Sequence, residues 1–191
     1  MTEPSRTGVH GDPVPAAVDI HRAFTLKDGT AVELRPLLAV DEPAYRAFTR
    51  ILSPESQYLR FFMRKGDLSE REIDRFVHVD YIDRFALIAV RGDEIVAIAR
   101  YDRELEGDTT DQSEVAFIVR DDLQGNGIGP ALLGVLAEVA HRNGVRQFNA
   151  SVLPHNRPML KVFEKSGWVT SRRFADGAVY LVMALPRADP A

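Results

Sequence analysis

The sequence predicts an α/β (α+β) domain, a mixed but mostly antiparallel twisted sheet flanked by about four helices, and three observations carry that prediction. Asp28-Gly29 and Asp176-Gly177 each stand between β-rich runs, the signal of a hairpin, and Arg91-Gly92-Asp93 joins two apolar runs. Between Ser113 and Val139 an apolar strand, a polar loop, three glycines at alternate positions and an amphipathic helix follow one another. With 191 residues, 45% of them hydrophobic, the chain is long enough to bury one sizeable core in a single domain.

The elements follow in order. Residues 1–20, rich in Pro, Gly and polar side chains, read as a flexible tail, 21–187 as the domain and 188–191 as a short C-terminal tail. The first hairpin turns at Asp28-Gly29 and its second arm runs from Ala31 to Arg35. Asp41 to Ile51 and Ser69 to Val77 have helical spacing, and Ser53-Pro54-Glu55 and Ser69-Glu70 read as helix starts by capping residue and early acid. Arg84 to Val90 and Glu94 to Tyr101 are apolar strands, and Glu106 to Gln112 is a polar loop before the next strand. The helix behind the glycines runs to about Arg142 and stops at Asn143-Gly144. Gln147 to Val152 alternates as a strand, Asn156 to Lys165 is helical and ends at Ser166-Gly167, and Val169 to Phe174 with Ala178 to Leu185 form a closing hairpin.

Composition excludes several classes. There is no cysteine, so disulfides, thiolate metal sites and a cysteine nucleophile are ruled out, which suits a cytoplasmic address. The histidines at 10, 21, 78, 141 and 155 show no HxxxH or HxH spacing, and no metal is expected. A net charge of -4 without a basic run argues against nucleic acid. No apolar stretch approaches the roughly 20 residues of a membrane helix, and the N-terminus lacks a signal-peptide core.

The three glycines, Gly125, Gly127 and Gly129, let backbone N–H groups approach an anion, with the positive end of a helix dipole behind them. A Walker loop fails because Pro130 stands five residues after Gly125 with no Lys-Ser or Lys-Thr following. A dinucleotide fingerprint fails because its third glycine would also fall at Pro130, after several antiparallel strands. Gln124-Gly125-Asn126-Gly127-Ile128-Gly129 resembles motif A of the GNAT acyltransferases, [QR]-G-x-G-[IL]-[GA], and NRPMLKVFEKSGW resembles that family's segment N-x-x-A-x-x-L-Y-x-x-x-G-F. The resemblance implies acetyl-CoA as cosubstrate. Phe117, Ile118 and Val119 would pair with the pantetheine arm, backbone N–H groups from Gln124 to Gly129 (124, 125, 126, 127, 128 and 129) would hold the pyrophosphate, and Asn156 would contact the cofactor or cap its helix. Arg157 and Lys161 are either partners of the 3′-phosphate or solvated charges.

The same resemblance sets the chemistry. Many relatives carry a Tyr acid where this chain has Phe163, which cannot donate a proton, although a thiol with an ordinary pKa of about 8.5 can leave as thiolate. Glu114 is the candidate general base, with a strand-end salt bridge as its alternative role, and a backbone N–H near Ile118 would stabilise the oxyanion. For the acceptor, DGTAVELRPLLAVDEPAYRAF and LSPESQYLRFF resemble the GNAT domain of bacterial, mycobacterial-type protein lysine acetyltransferases, which modify acyl-CoA synthetases. That resemblance implies a protein lysine acceptor. Tyr58 and Arg60 are candidate substrate contacts because binding residues concentrate on loops, and Phe61 and Phe62 read as core packing at a loop and helix start. The chain has no room for a cyclic-nucleotide domain, so control by such a ligand is not expected from it. A small-molecule amine is the alternative acceptor; Phe163 and Pro130 also fit a CoA-binding regulatory module with weak turnover.

Overall fold

The structure, a computed structural model, describes residues 19–62, 67–103 and 110–186. The expected tails, apart from Asp19 and Ile20, and most of the expected 106–112 loop lie outside the described residues. Eight strands form one sheet in the order β1-β2-β3-β4-β5-β6-β8-β7. They are β1 (Arg22–Thr25), β2 (Ala31–Pro36), β3 (Arg84–Arg91), β4 (Glu94–Arg103), β5 (Gln112–Val119), β6 (Gln147–Val152), β7 (Val169–Ala175) and β8 (Ala178–Ala184). Every neighbouring pair is antiparallel except β5 with β6. The helices are α1 (Glu42–Ile51), α2 (Pro54–Phe61), α3 (Glu70–Val77), α4 (Ile128–Arg142) and α5 (Arg157–Lys165), one more than expected.

Local chemistry accounts for the boundaries. Asp28 Oδ1 accepts the Thr30 N–H at 2.9 Å and closes the first hairpin. Ser53 and Ser69 cap α2 and α3 through the N–H groups of Ser56 and Glu72, and Glu72 reaches back to Ser69 in a capping box. The helix predicted from Asp41 begins one residue later, because Asp41 closes a short 3-10 turn over Ala39–Asp41. Its carboxylate is committed there, taking Arg35 in a two-pronged pair at 2.7 Å on each oxygen and the Leu38 N–H at 2.8 Å.

Asp41 is only 9% exposed. Burial alone would raise its carboxyl, but the Arg35 and Leu38 hydrogen bonds outweigh burial and hold it below its ordinary value of 3.8. A group depressed on folding adds stability above its unfolded pKa and loses it as pH falls through the folded value. Asp41→Asn is therefore expected to cost about 2 kcal/mol at pH 7, and the difference from the native chain should shrink as pH falls below about 4. Urea midpoints between pH 3 and 7 measure this.

Both faces of the sheet are covered. On one, Leu87, Ala97, Ala99 and Phe117 pack under Leu132, Leu136 and Val139 of α4 and Leu160 and Phe163 of α5. On the other, Ile88, Ile95 and Ile98 meet Tyr45 and Phe48 of α1 and Ile73 and Val77 of α3. Within α4, Gly134 is exposed and a Cβ there would meet nothing within 4 Å, so Gly134→Ala should stabilise the chain by about 0.5–1 kcal/mol in thermal or urea unfolding.

One irregularity positions the site. β5 and β6 pair only from Gln112↔Gln147 to Glu114↔Asn149, while β5 stays paired with β4 as far as Val119↔Ala97. Beyond Glu114 the two middle strands diverge, and the β6-facing backbone edge of β5 opens into a V. A free strand edge inside a sheet can hydrogen-bond an extended ligand.

Candidate functional site

A pocket of about 560 Å³ occupies that V. β5 lines it with Phe117, Ile118 and Val119, and the following loop with Gln124, Gly125, Gly127, Ile128 and Gly129. Asn156 and Met159 of α5 close one side; Ser56, Leu59 and Arg60 of α2 form the other.

The glycine loop presents an unused row of donors. Gly125 and Gly127 lie at φ 78° and 92°, in the left-handed region, which turns successive peptide N–H groups to one side. None of the N–H groups from Gly125 to Gly129 donates a hydrogen bond to a described residue, and the first bond of α4 runs from the Ala131 N–H to the Gly127 carbonyl at 3.4 Å. Pro130 falls in the first turn, where its missing N–H breaks no helical bond. Gly129 is small for another reason: a Cβ there would stand 3.2 Å from Val162 Cγ2, so it sets the approach of α4 to α5.

Asn126 does not line the pocket with its side chain. Its Nδ2 donates to Asp28 Oδ2 at 3.0 Å and its carbonyl accepts the Lys27 N–H at 3.1 Å, tying the cradle to the first hairpin. Lys27 thereby joins Arg157, Lys161 and Lys165 on the pocket wall. The sequence reading missed Lys27, whose only local signal is the turn beside it. Asn156 caps α5, its Oδ1 accepting the Met159 N–H at 3.2 Å, and its Nδ2 makes no hydrogen bond to a described residue. Phe163 is buried against Phe117 edge-to-face at 5.5 Å, so the ring belongs to the core.

The remaining candidates separate. Glu114 is exposed, does not line the pocket and stands at the vertex of the V, opposite Asn149 on β6 and Asp102 on β4. Strand alternation puts it on the face of Ala116 and Ile118. Beside it Gln112 Oε1 accepts from Gln147 at 2.8 Å and from Asn149 at 3.2 Å, an amide cluster on the same face. Tyr58, 37% exposed, also stays outside the pocket lining and stacks on His155 with centroids 6.2 Å apart, bridging α2 to the residue before Asn156. Arg60 does line it. Burial, followed by the charge of Arg100, pulls the Arg60 guanidinium down to about 10, which leaves it charged at neutral pH. The expectation that Phe61 and Phe62 fill the core is corrected: Phe61 is half-buried and Phe62 is 39% exposed. Phe62 takes a left-handed conformation at φ 59° that ends α2, its N–H bonded to the Tyr58 carbonyl.

A polar clamp fixes α2 to the cradle. Asp121 Oδ1 accepts from Ser53 Oγ at 2.8 Å and Ser56 Oγ at 2.7 Å, and Oδ2 from the Ser53 N–H at 3.1 Å. Gln124 Nε2 donates to Ser56 Oγ at 3.2 Å and to the Val119 carbonyl at 3.1 Å. Burial would raise the Asp121 carboxyl, yet these donors hold it below its ordinary value. The first residue of the cradle, the end of β5 and the helix carrying Arg60 are thus one unit.

Comparison with known proteins places this geometry among relatives. Residues 46–168 match the acetyltransferase (GNAT) family. The acetyltransferase Pat of Mycolicibacterium smegmatis is 35% identical over 167 residues, 86% of this chain and 49% of the relative, so the chain spans about half that relative's length. An acetyltransferase of Pseudomonas aeruginosa is 32% identical over 156 residues, covering 80% of this chain and 82% of the relative. Among solved structures, the GNAT domain of S. lividans PAT superposes with a TM-score of 0.81 at 40% identity, covering 86% of this chain and 97% of that domain.

Proposed function

The chain belongs to the GNAT acetyltransferase family, and from that premise we propose that it transfers acetyl from acetyl-CoA directly to the ε-amine of a lysine on a protein such as an acyl-CoA synthetase. The observation that carries the reading is the opening of β5 from β6 beside a row of unused N–H groups at the start of α4. An extended pantetheine arm suits the free edge of Phe117 to Val119, and a pyrophosphate suits the donors from Gly125 to Gly129, where the helix dipole adds to the attraction. Lys27, Arg157 and Lys161 supply positive charge for the outer phosphate, and Asn156 Nδ2 is the free amide donor beside them.

In the reaction the amine nitrogen bonds to the acetyl carbon, the carbon–sulfur bond breaks, the amine loses a proton and the sulfur leaves as thiolate or thiol. Glu114 takes the amine proton, through water because it stands off the pocket. A β5 backbone N–H near Ile118 stabilises the carbonyl oxygen as it gains charge. Phe163 offers no proton, so the departing thiolate relies on its ordinary acidity and on solvent. Resemblance to lysine acetyltransferases along Asp28 to Phe62 supports a protein acceptor, as does 40% identity to the S. lividans PAT domain.

Acetyl-labelled acetyl-CoA incubated with the chain and a bacterial proteome tests this. Mass spectrometry should find labelled lysines absent from a mixture without the chain; label confined to small amines would remove the protein acceptor and leave the acetyltransferase.

A further inference from the structure

Arg60 has an unusual setting for a half-buried cation. Among the described residues it makes no hydrogen bond and no ion pair, and its contact is the face of Phe61, 4.9 Å from guanidinium carbon to ring centroid. Half-buried charge is ordinarily compensated by a partner. Behind it lies a second guanidinium. Arg100 is 3% exposed, sits 4.8 Å over the Phe76 ring and pairs through Nε with Asp102 Oδ2 at 3.0 Å. Its Nη2 is buried with no hydrogen-bond partner among the described residues. The two arginines bound a small cavity of about 20 Å³ with Tyr45, Thr49, Ala116 and Ile118, room for one group the size of a water oxygen. Arg60 and Ile118 also line the large pocket, so the two spaces share a wall at the strand position where acetyl transfer is placed.

We propose that Arg60, backed by Arg100, is a carboxylate-selecting subsite for the acceptor: it pairs with an acidic side chain close to the lysine that receives acetyl. The proposal rests on the acetyltransfer reading and deepens it. A guanidinium presented at the wall of a pocket, with its desolvation already met by folding, matches a carboxylate by two parallel N–H bonds. Arg100 adds charge from behind without touching the acceptor, and its orphan donor takes the water or oxygen that the small cavity admits. Glu114 receives the ammonium proton on the same face of β5 while Arg60 holds the neighbouring carboxylate, so an acceptor carrying both charges meets its complements in order. Phe61 and Phe76, rings 6.3 Å apart, hold the two cations without cancelling their charge.

The test compares single-lysine peptides in pairs, with Glu or Gln at one position flanking the lysine, using the full chain and acetyl-CoA. The native chain should favour the best Glu peptide over its Gln twin by about tenfold or more in kcat/KM. Arg60→Gln should collapse that ratio to about one, Arg60→Lys should retain part of it, and Arg60→Glu should prefer a flanking Lys. Calorimetric binding of acetyl-CoA by each variant reports its fold. A native ratio near one for every pair, or a ratio that survives Arg60→Gln, overturns the subsite while leaving acetyltransfer intact. Arg60-dependent acetylation of free amino acids, but not of peptides, overturns the side-chain source. Acetyl-CoA binding with no acetylated acceptor of any kind removes the functional reading itself.

Discussion

Glu114→Gln should lower kcat/KM for amine acetylation by about 10² to 10⁴-fold while acetyl-CoA binding changes little. The size follows from the acceptor. A lysine amine with an ordinary pKa of about 10.4 is almost wholly protonated at neutral pH, and only the neutral form attacks. Gln keeps the shape and hydrogen-bonding reach of Glu but cannot take the proton. The variant must wait for amines that arrive already neutral, so its rate should rise steeply with pH toward that of the native chain. A simple packing role would give a loss that is constant with pH. The binding half is equally specific: Glu114 lies outside the pocket lining, and no donor of the glycine loop depends on it. An unchanged rate and unchanged pH profile would dismiss Glu114 and turn attention to Asp102, its cross-strand neighbour, whose Oδ1 is buried without a hydrogen-bond partner among the described residues.

What was legible in the sequence is what local chemistry encodes. The glycines at 125 and 127, the Asp28-Gly29 turn and the caps at Ser53, Ser69 and Asn156 are short-range signals, and each stands where the residues predict. The apolar runs of β3 and β4 announce central strands because both are buried almost throughout. The opening of β5 from β6 is not legible, since register depends on how far two strands over thirty residues apart remain paired. Contacts across long separations are equally hidden: Asp121 reaching back to Ser53 and Ser56, Asn126 reaching Asp28, and Arg60 standing before Arg100. Phe61 and Phe62 show the same limit in reverse. Two adjacent aromatic residues carry a strong hydrophobic expectation, yet Phe62 ends its helix with a left-handed φ and stays exposed. A positive φ at a large residue is a product of tertiary context and leaves no trace in composition.

Gly127→Val should weaken acetyl-CoA binding by about tenfold to a hundredfold and cost about 2 kcal/mol of stability, through backbone geometry and not through collision. At Gly127 φ is 92° and ψ 0°, a conformation that a β-branched residue adopts only under strain. A Cβ there would stand 3.8 Å from Lys27 Cε, an ordinary contact with a flexible side chain. Relief of the strain can only come from rotating the peptide, which re-aims the neighbouring N–H groups that face the anion. Gly129 offers the opposite case. Its backbone is unstrained for an L residue, but its Cβ would press on Val162 at 3.2 Å, so Gly129→Ala acts by pushing α4 from α5. The two mechanisms separate in a double-mutant cycle. Val162→Ala should restore much of the affinity lost in Gly129→Ala and none of that lost in Gly127→Val, measured by calorimetry with acetyl-CoA. If Val162→Ala rescues both, the cradle is held open by helix packing, and the left-handed turn at Gly127 does not aim its donors.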